Sequence, residues 1–132
     1  MKYLFFIFIF NLSFCQTKSF EEAYKESNIS TVTLETNCEN INSLVKKDIN
    51  NKSIFLFLQS GIAPVRFYND GNFEEKYDIH YFEEGCISSH CSENYNFIVF
   101  DYLYKTFGKK WTKEIRKDTL GFKEWKKTYK QH

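Results

Sequence analysis

The residues best equipped for chemistry in this 132-residue chain are its cysteines and histidines, and Cys38, Cys86 and Cys91 lie beyond the first 15 positions, with His90 beside Cys91. A disulfide between Cys86 and Cys91 is the first expectation, because it closes a short loop ahead of a long helix. Pairing of Cys38 with Cys86 or Cys91, and no stable bond at all, are the alternatives. A redox site would use Cys38, since the first turn of an expected helix lowers a thiol's pKa. There is no Cys-x-x-Cys pair to support it. Zinc could recruit Cys86, His90, Cys91 and His80, but two adjacent side chains do not readily face one ion and no second spaced pair exists. No metal ligand is therefore assigned.

Acid–base chemistry is no better supplied. Glu74–Glu75 and Glu83–Glu84 are adjacent in sequence, and neighbours on a helix or strand point to different sides, so each pair reads as a solvated face. His80 falls in an expected strand and reads as a packed or surface imidazole. The chain has no Gly-x-Ser-x-Gly elbow, phosphate loop or His-Glu-x-x-His helix. No catalytic residue and no cofactor are assigned. Arg66 and Arg116, the two arginines, have the geometry to hold an anion bidentately, with surface ion pairing as the default for both.

These residues must be positioned by elements that the hydrophobic pattern defines. Ser19-Phe20-Glu21-Glu22 is a capping box opening a short helix that ends near Asn28. Thr31 to Glu35 alternates like a half-buried strand, Asn37 caps a helix with a stripe at Ile41, Leu44, Val45 and Ile49, and Ile54 to Leu58 is a strand covered on both faces. The succession predicts a parallel βαβ unit. Pro64 to Tyr68 is an edge strand or ordered loop, Asp70 caps a brief helix with Phe73 and Tyr77, and Ile79 to Phe82 forms a third strand. Ser92 or Asn94 opens a long helix that Gly108 stops, and Trp111, Ile115, Phe122, Trp125 and Tyr129 mark helical turns beyond it. The expected fold is α/β (or α+β): a small sheet of three to four strands, mainly parallel, packed by helices, with a helical C-terminal third.

Ligands of parallel sheets bind beyond the carboxyl ends of the strands. That rule gathers Asn37 and Cys38, Ser60 and Gly61, and Glu84 with Cys86 at one edge, beside His90 and Cys91. Asn37, Cys38, Ser60, Gly61, Glu84 and His90 are the candidate binding residues.

The N-terminus sets the compartment. Lys2 precedes an unbroken apolar run from Leu4 to Phe10, with Ser13 and Cys15 as small residues before polar sequence. A membrane span needs about 20 apolar residues. The pattern predicts a bacterial signal peptide over residues 1–15, cut before Gln16, and a single α/β domain over 16–132 that is secreted or periplasmic and lacks a transmembrane segment. Lipid anchoring at Cys15 is the alternative, and a buried N-terminal strand a further one. Export places the remaining thiols in an oxidising compartment.

The overall charge is +1, yet it is segregated along the chain. Residues 16–101 carry 7 basic and 14 acidic side chains, and 102–132 carry 10 basic and 3 acidic, giving balances of −7 and +7. The partners compatible with this are a protein or an anionic surface met by the basic helices, with no nucleic acid expected outside the cytoplasm.

Tyr102-Leu103-Tyr104-Lys105-Thr106-Phe107-Gly108-Lys109-Lys110-Trp111-Thr112-Lys113-Glu114-Ile115-Arg116-Lys117-Asp118, continued by Leu120-Gly121-Phe122-Lys123, resembles the C-terminal signature of a family of small exported bacterial proteins without an assigned activity. The resemblance also takes in Phe73 to Cys86, so it spans about half the chain. It implies export and one compact domain and adds no chemistry. The function expected is a non-enzymatic binding or interaction module. The alternatives are a thiol- or metal-dependent enzyme at the Cys38/Cys86/Cys91 edge and a membrane-surface binder acting through the basic helices.

Overall fold

The computed structural model describes residues 16–59, 61, 63–85 and 89–129. The expected signal peptide, Cys15, Ser60 and Cys86 lie outside the described residues.

The elements run α1 (Phe20–Glu26), α2 (Ile29–Leu34), a 3-10 turn (Cys38–Asn40), α3 (Ile41–Asn50), β1 (Ile54–Leu58), α4 (Asp70–Tyr77), β2 (Ile79–Glu83), α5 (His90–Phe107), a second 3-10 turn (Lys110–Lys113) and α6 (Phe122–Tyr129). The fold is α/β. Among the described residues its sheet has two parallel strands, not the three to four expected, paired from Ile54↔Ile79 to Leu58↔Glu83. The βαβ unit is therefore β1–α4–β2.

All five residues of β1 are buried, as an unbroken apolar run requires. Phe55 meets Phe20 of α1 edge-on at 5.5 Å, and Phe57 meets Tyr95 of α5 edge-on at 5.3 Å. The α5 side chains Tyr95, Val99, Phe100 and Leu103 complete the core with Trp111, Phe122 and Trp125. The capping box of α1 is present, with the Ser19 amide donating to Glu22 Oε2 at 3.1 Å and the Glu22 amide to Ser19 Oγ at 3.4 Å.

The expected strand over Thr31 to Glu35 is instead the end of α2, helical through Leu34 with Glu35 as its C-cap. Ile29 and Val32, three residues apart, are both fully buried, while Leu34 is 82% exposed. Packing of that stripe against α5 outweighs the β-branched preference of the segment. Asn37 makes no side-chain cap bond. The start of α5 also moves: Ser89 is the N-cap, its hydroxyl accepting from the Ser92 amide at 3.1 Å, so neither Ser92 nor Asn94 begins the helix.

Polar side chains explain how so small a sheet closes. Beside β1, Asn96 of α5 takes the Phe57 amide on its Oδ1 at 2.9 Å and donates Nδ2 to the Phe57 carbonyl at 2.8 Å. The chain at Asp118–Leu120 completes that edge, with Gln59 N–H donating to Asp118 O at 2.7 Å and Leu120 N–H to Phe57 O at 2.9 Å. On β2, the Tyr81 amide donates to Glu74 Oε1 at 2.9 Å. The backbone groups of Phe57 and the Tyr81 amide, which a third strand would otherwise satisfy, are thus already engaged.

Candidate functional site

The cysteines pair as Cys38–Cys91, tying the first 3-10 turn to the opening turn of α5 with Cα atoms 5.2 Å apart. This corrects the expected Cys86–Cys91 bond. Cys91 faces inward on α5, almost fully buried, where Cys38 packs against the core. The bond spans 53 residues, a loop long enough for cross-linking to stabilise the fold by about 4 kcal/mol on the chain-entropy account. With both sulfurs committed, neither residue offers a thiol or metal ligand in this state. Among the described residues no group of three His, Cys, Asp or Glu side chains could hold a metal ion.

Glu84 serves the same helix end. Its Oε1 accepts from Ser92 Oγ at 2.7 Å and its Oε2 from the Ser89 amide at 3.3 Å, which places a carboxylate at the positive end of α5. His90 is the exposed first residue of α5. Cys38, Glu84, His90 and Cys91 are therefore brought together, as a structural junction of staple and cap. Asn37 lies in a shallow hollow of about 480 Å³ with Thr31, Leu34 and Glu39. Gly61 follows β1 and borders a hollow of about 40 Å³ with Gln59, Val65, Glu83 and Arg116. With residues 31–34 helical, Asn37 and Cys38 are not at a strand end. His80 packs against Phe20 and Phe55, its Nε2 3.1 Å from the Lys18 carbonyl.

The densest polar cluster is centred on the two arginines. Arg116, its side chain only 7% exposed, donates through Nε and Nη2 to the two Asp118 carboxylate oxygens at 3.0 and 2.6 Å. Its Nη1 donates to Asp70 Oδ2 at 3.0 Å and to the Val65 carbonyl at 2.7 Å. The guanidinium lies 4.6 Å from the Phe67 ring centroid. Arg66 forms its own two-point pair with Glu74, at 3.0 and 2.7 Å. A surface ion pair was expected of Arg116; it is a buried hub, and the anions that both arginines hold are the protein's own. The hydrogen bonds with Asp118 hold Arg116 charged and keep the Asp118 carboxyl below its ordinary range, while burial pushes the Tyr81 hydroxyl up.

This cluster fixes the segment between β1 and α4. Val65 N–H donates to Glu83 Oε1 at 2.9 Å, Val65 O accepts from Arg116, and Phe67 N–H donates to Asp70 Oδ2 at 2.8 Å. The loop so tied presents apolar side chains to solvent: Val65 is 49%, Phe67 55% and Tyr68 97% exposed. Beside it opens a cleft of about 400 Å³ whose walls include Phe67, Phe73, Tyr81, Ile115 and Arg116. Chemically, the guanidinium bonds are internally satisfied, so the surface left over is fit for contact. The available signal was the rarity of arginine: two among 18 basic residues mark positions where a planar two-point donor is needed.

No protein-family model, curated protein or solved structure matches the chain.

Proposed function

We propose that this protein is an exported, non-enzymatic binding module that takes a protein partner on the loop from Ala63 to Asn69 and the adjoining cleft. The observation that supports it is the exposure of Val65, Phe67 and Tyr68 on a loop held at both backbone and ring level by Glu83, Asp70 and Arg116. Apolar side chains exposed side by side, unlike a lone one such as Leu34, commonly mark an interaction site, and aromatic residues beside arginine are the common anchors of protein interfaces. Tying the loop during folding removes an ordering cost from the binding step. Mass spectrometry of exported protein tests the compartment: the mature chain begins at Gln16 and carries the Cys38–Cys91 bond. A photo-crosslinker placed at position 68 in the producing cell tests the face. A discrete protein adduct, absent when the probe sits at Leu34 on α2, is expected; equal labelling at both positions refutes the proposal.

A second reading, contact with an anionic surface, is favoured by the exposure of Lys105, Lys109, Lys110, Lys113, Lys117, Lys123 and Lys127, none in an ion pair among the described residues. Co-sedimentation with anionic vesicles that added salt abolishes supports it; sedimentation indifferent to lipid charge dismisses it. No described helix is long and apolar enough to cross a membrane.

A further inference from the structure

We infer that the groove between α5 and α6 is a binding site for an organic ammonium cation carrying methyl or methylene groups. The groove encloses about 690 Å³ and is lined by Phe97, Asp101, Glu124, Trp125, Thr128 and Tyr129. Spacing creates it. Phe97 and Asp101 are four apart on α5, and Trp125 and Tyr129 are four apart on α6, so each helix lends one face to the gap.

Its walls are held in place. Gly121, with φ of 73°, lets the chain enter α6 so close to α5 that a Cβ there would stand 2.7 Å from Phe97 Cε1 and 2.8 Å from Glu93 Cγ. Trp125 Nε1 donates to Asp101 Oδ1 at 2.8 Å, which fixes indole and carboxylate together. The Tyr129 ring lies 4.3 Å from that of Trp125 and 4.5 Å from that of Tyr104.

Charge selects the ligand. Residues 102–132 carry 10 basic and 3 acidic side chains, and two of those acids, Glu114 and Asp118, are paired with Lys76 and Arg116. Glu124, the third, and Asp101 across the gap have no ion-pair partner among the described residues. Of the six described residues lining the groove, two are carboxylates and none is basic. Two carboxylates among aromatic rings suit a diffuse, weakly hydrated cation whose carbon shell rests on π-faces. A compact metal ion would ask for four or more hard ligands.

The test is titration of the full-length protein with tetramethylammonium chloride against sodium chloride at matched ionic strength, followed by the tryptophan indole N–H resonances. Trp125→Phe assigns the two signals. The expected result is a saturable shift of the Trp125 signal at millimolar tetramethylammonium, with Trp111 unmoved. Glu124→Gln, on an exposed position, weakens the apparent affinity roughly threefold to tenfold, the effect of one nearby charge at partial solvent exposure. Asp101→Asn weakens it at least as much, and Lys123→Gln does not weaken it. Choline chloride and phosphatidylcholine vesicles then separate a free solute from a lipid headgroup: binding of either keeps the assignment. A shift that grows linearly with salt of either kind, or an affinity unchanged in Glu124→Gln, overturns it. None of these variants touches the Ala63–Asn69 loop, so the outcome is independent of the crosslinking result.

Discussion

Replacement of Arg116 is the perturbation with the largest consequence that can be worked from the geometry. The side chain makes four hydrogen bonds, two to Asp118, one to Asp70 and one to the Val65 carbonyl. Asp118 is partly exposed and rehydrates when its partner leaves, whereas Asp70 is buried and does not. Arg116→Met therefore strands a buried carboxylate and a backbone carbonyl, at a cost of about 3–5 kcal/mol. That is about a fifth or more of the roughly 5–15 kcal/mol that holds a typical domain folded. Arg116→Lys keeps the charge but has one ammonium where the fork had three nitrogens, so it loses about 1–3 kcal/mol. Adding Asp70→Asn to Arg116→Met removes the stranded charge while retaining an oxygen for the Phe67 amide. The double variant regains about 1–2 kcal/mol over the single one. Equilibrium urea denaturation measures all three. An Arg116→Met protein within about 0.5 kcal/mol of the parent, or a double variant weaker than the single, would refute the buried-hub reasoning.

Three further outcomes follow from other parts of the fold. Asp48 is buried, in no ion pair among the described residues, and accepts from the Asn28 amide at 2.9 Å, Asn28 Nδ2 at 2.6 Å and Tyr95 Oη at 2.8 Å. Burial raises its pKa above the unfolded value, so its contribution is fully present below the ordinary carboxylate range and is lost as pH rises through the folded pKa. The stability difference between parent and Asp48→Asn accordingly shifts in the variant's favour as pH rises above the ordinary carboxylate range, and a difference that moves the other way contradicts the assignment. Asp118, held down by Arg116, gives the opposite sign: its contribution is present above the unfolded carboxylate pKa and fades as pH falls through the lowered folded value, which stability of Asp118→Asn across the acid limb checks. Gly121→Ala costs about 2–4 kcal/mol in thermal or urea unfolding, from a positive φ and the contact with Phe97 together, whereas Gly61→Ala, with open space around it, stays near neutral.

Apolar patterning carried the sequence reading well where burial is continuous. The run Ile54 to Leu58 is a covered strand, Ile79 to Phe82 pairs beside it, and the α3 stripe, Tyr95, Val99 and Leu103 of α5, and Phe122 and Trp125 of α6 face the core, while Phe107 at the end of α5 is exposed. The reading failed at Thr31 to Glu35, where local alternation pointed to a strand and the pairing partner was already occupied. What occupied it was polar. Asn96 and Glu74 lie in helical stretches, where an amide and a carboxylate look like solvated surface, yet one fills an edge of β1 and the other takes the Tyr81 amide. Nothing in a linear pattern tells a solvent-facing carboxylate from one that replaces a strand. The same limit hid the Arg116 cluster, whose members come from β2, α4 and two loops. It also concealed which thiols pair, since short loop length favoured Cys86 with Cys91 while the inward face of α5 delivers Cys91 to Cys38.

Hydrogen exchange of the Val65 and Phe67 amides in the intact protein tests most directly whether the apolar loop is held ready for a partner. Both amides sit on exposed residues, and both donate to buried or partly buried carboxylates, Glu83 and Asp70. Protection of the two above the rate of an unstructured chain, lost in Arg116→Met, is the predicted result. Exchange at the unstructured rate in the parent protein would show that the loop is not pinned, and would contradict the account.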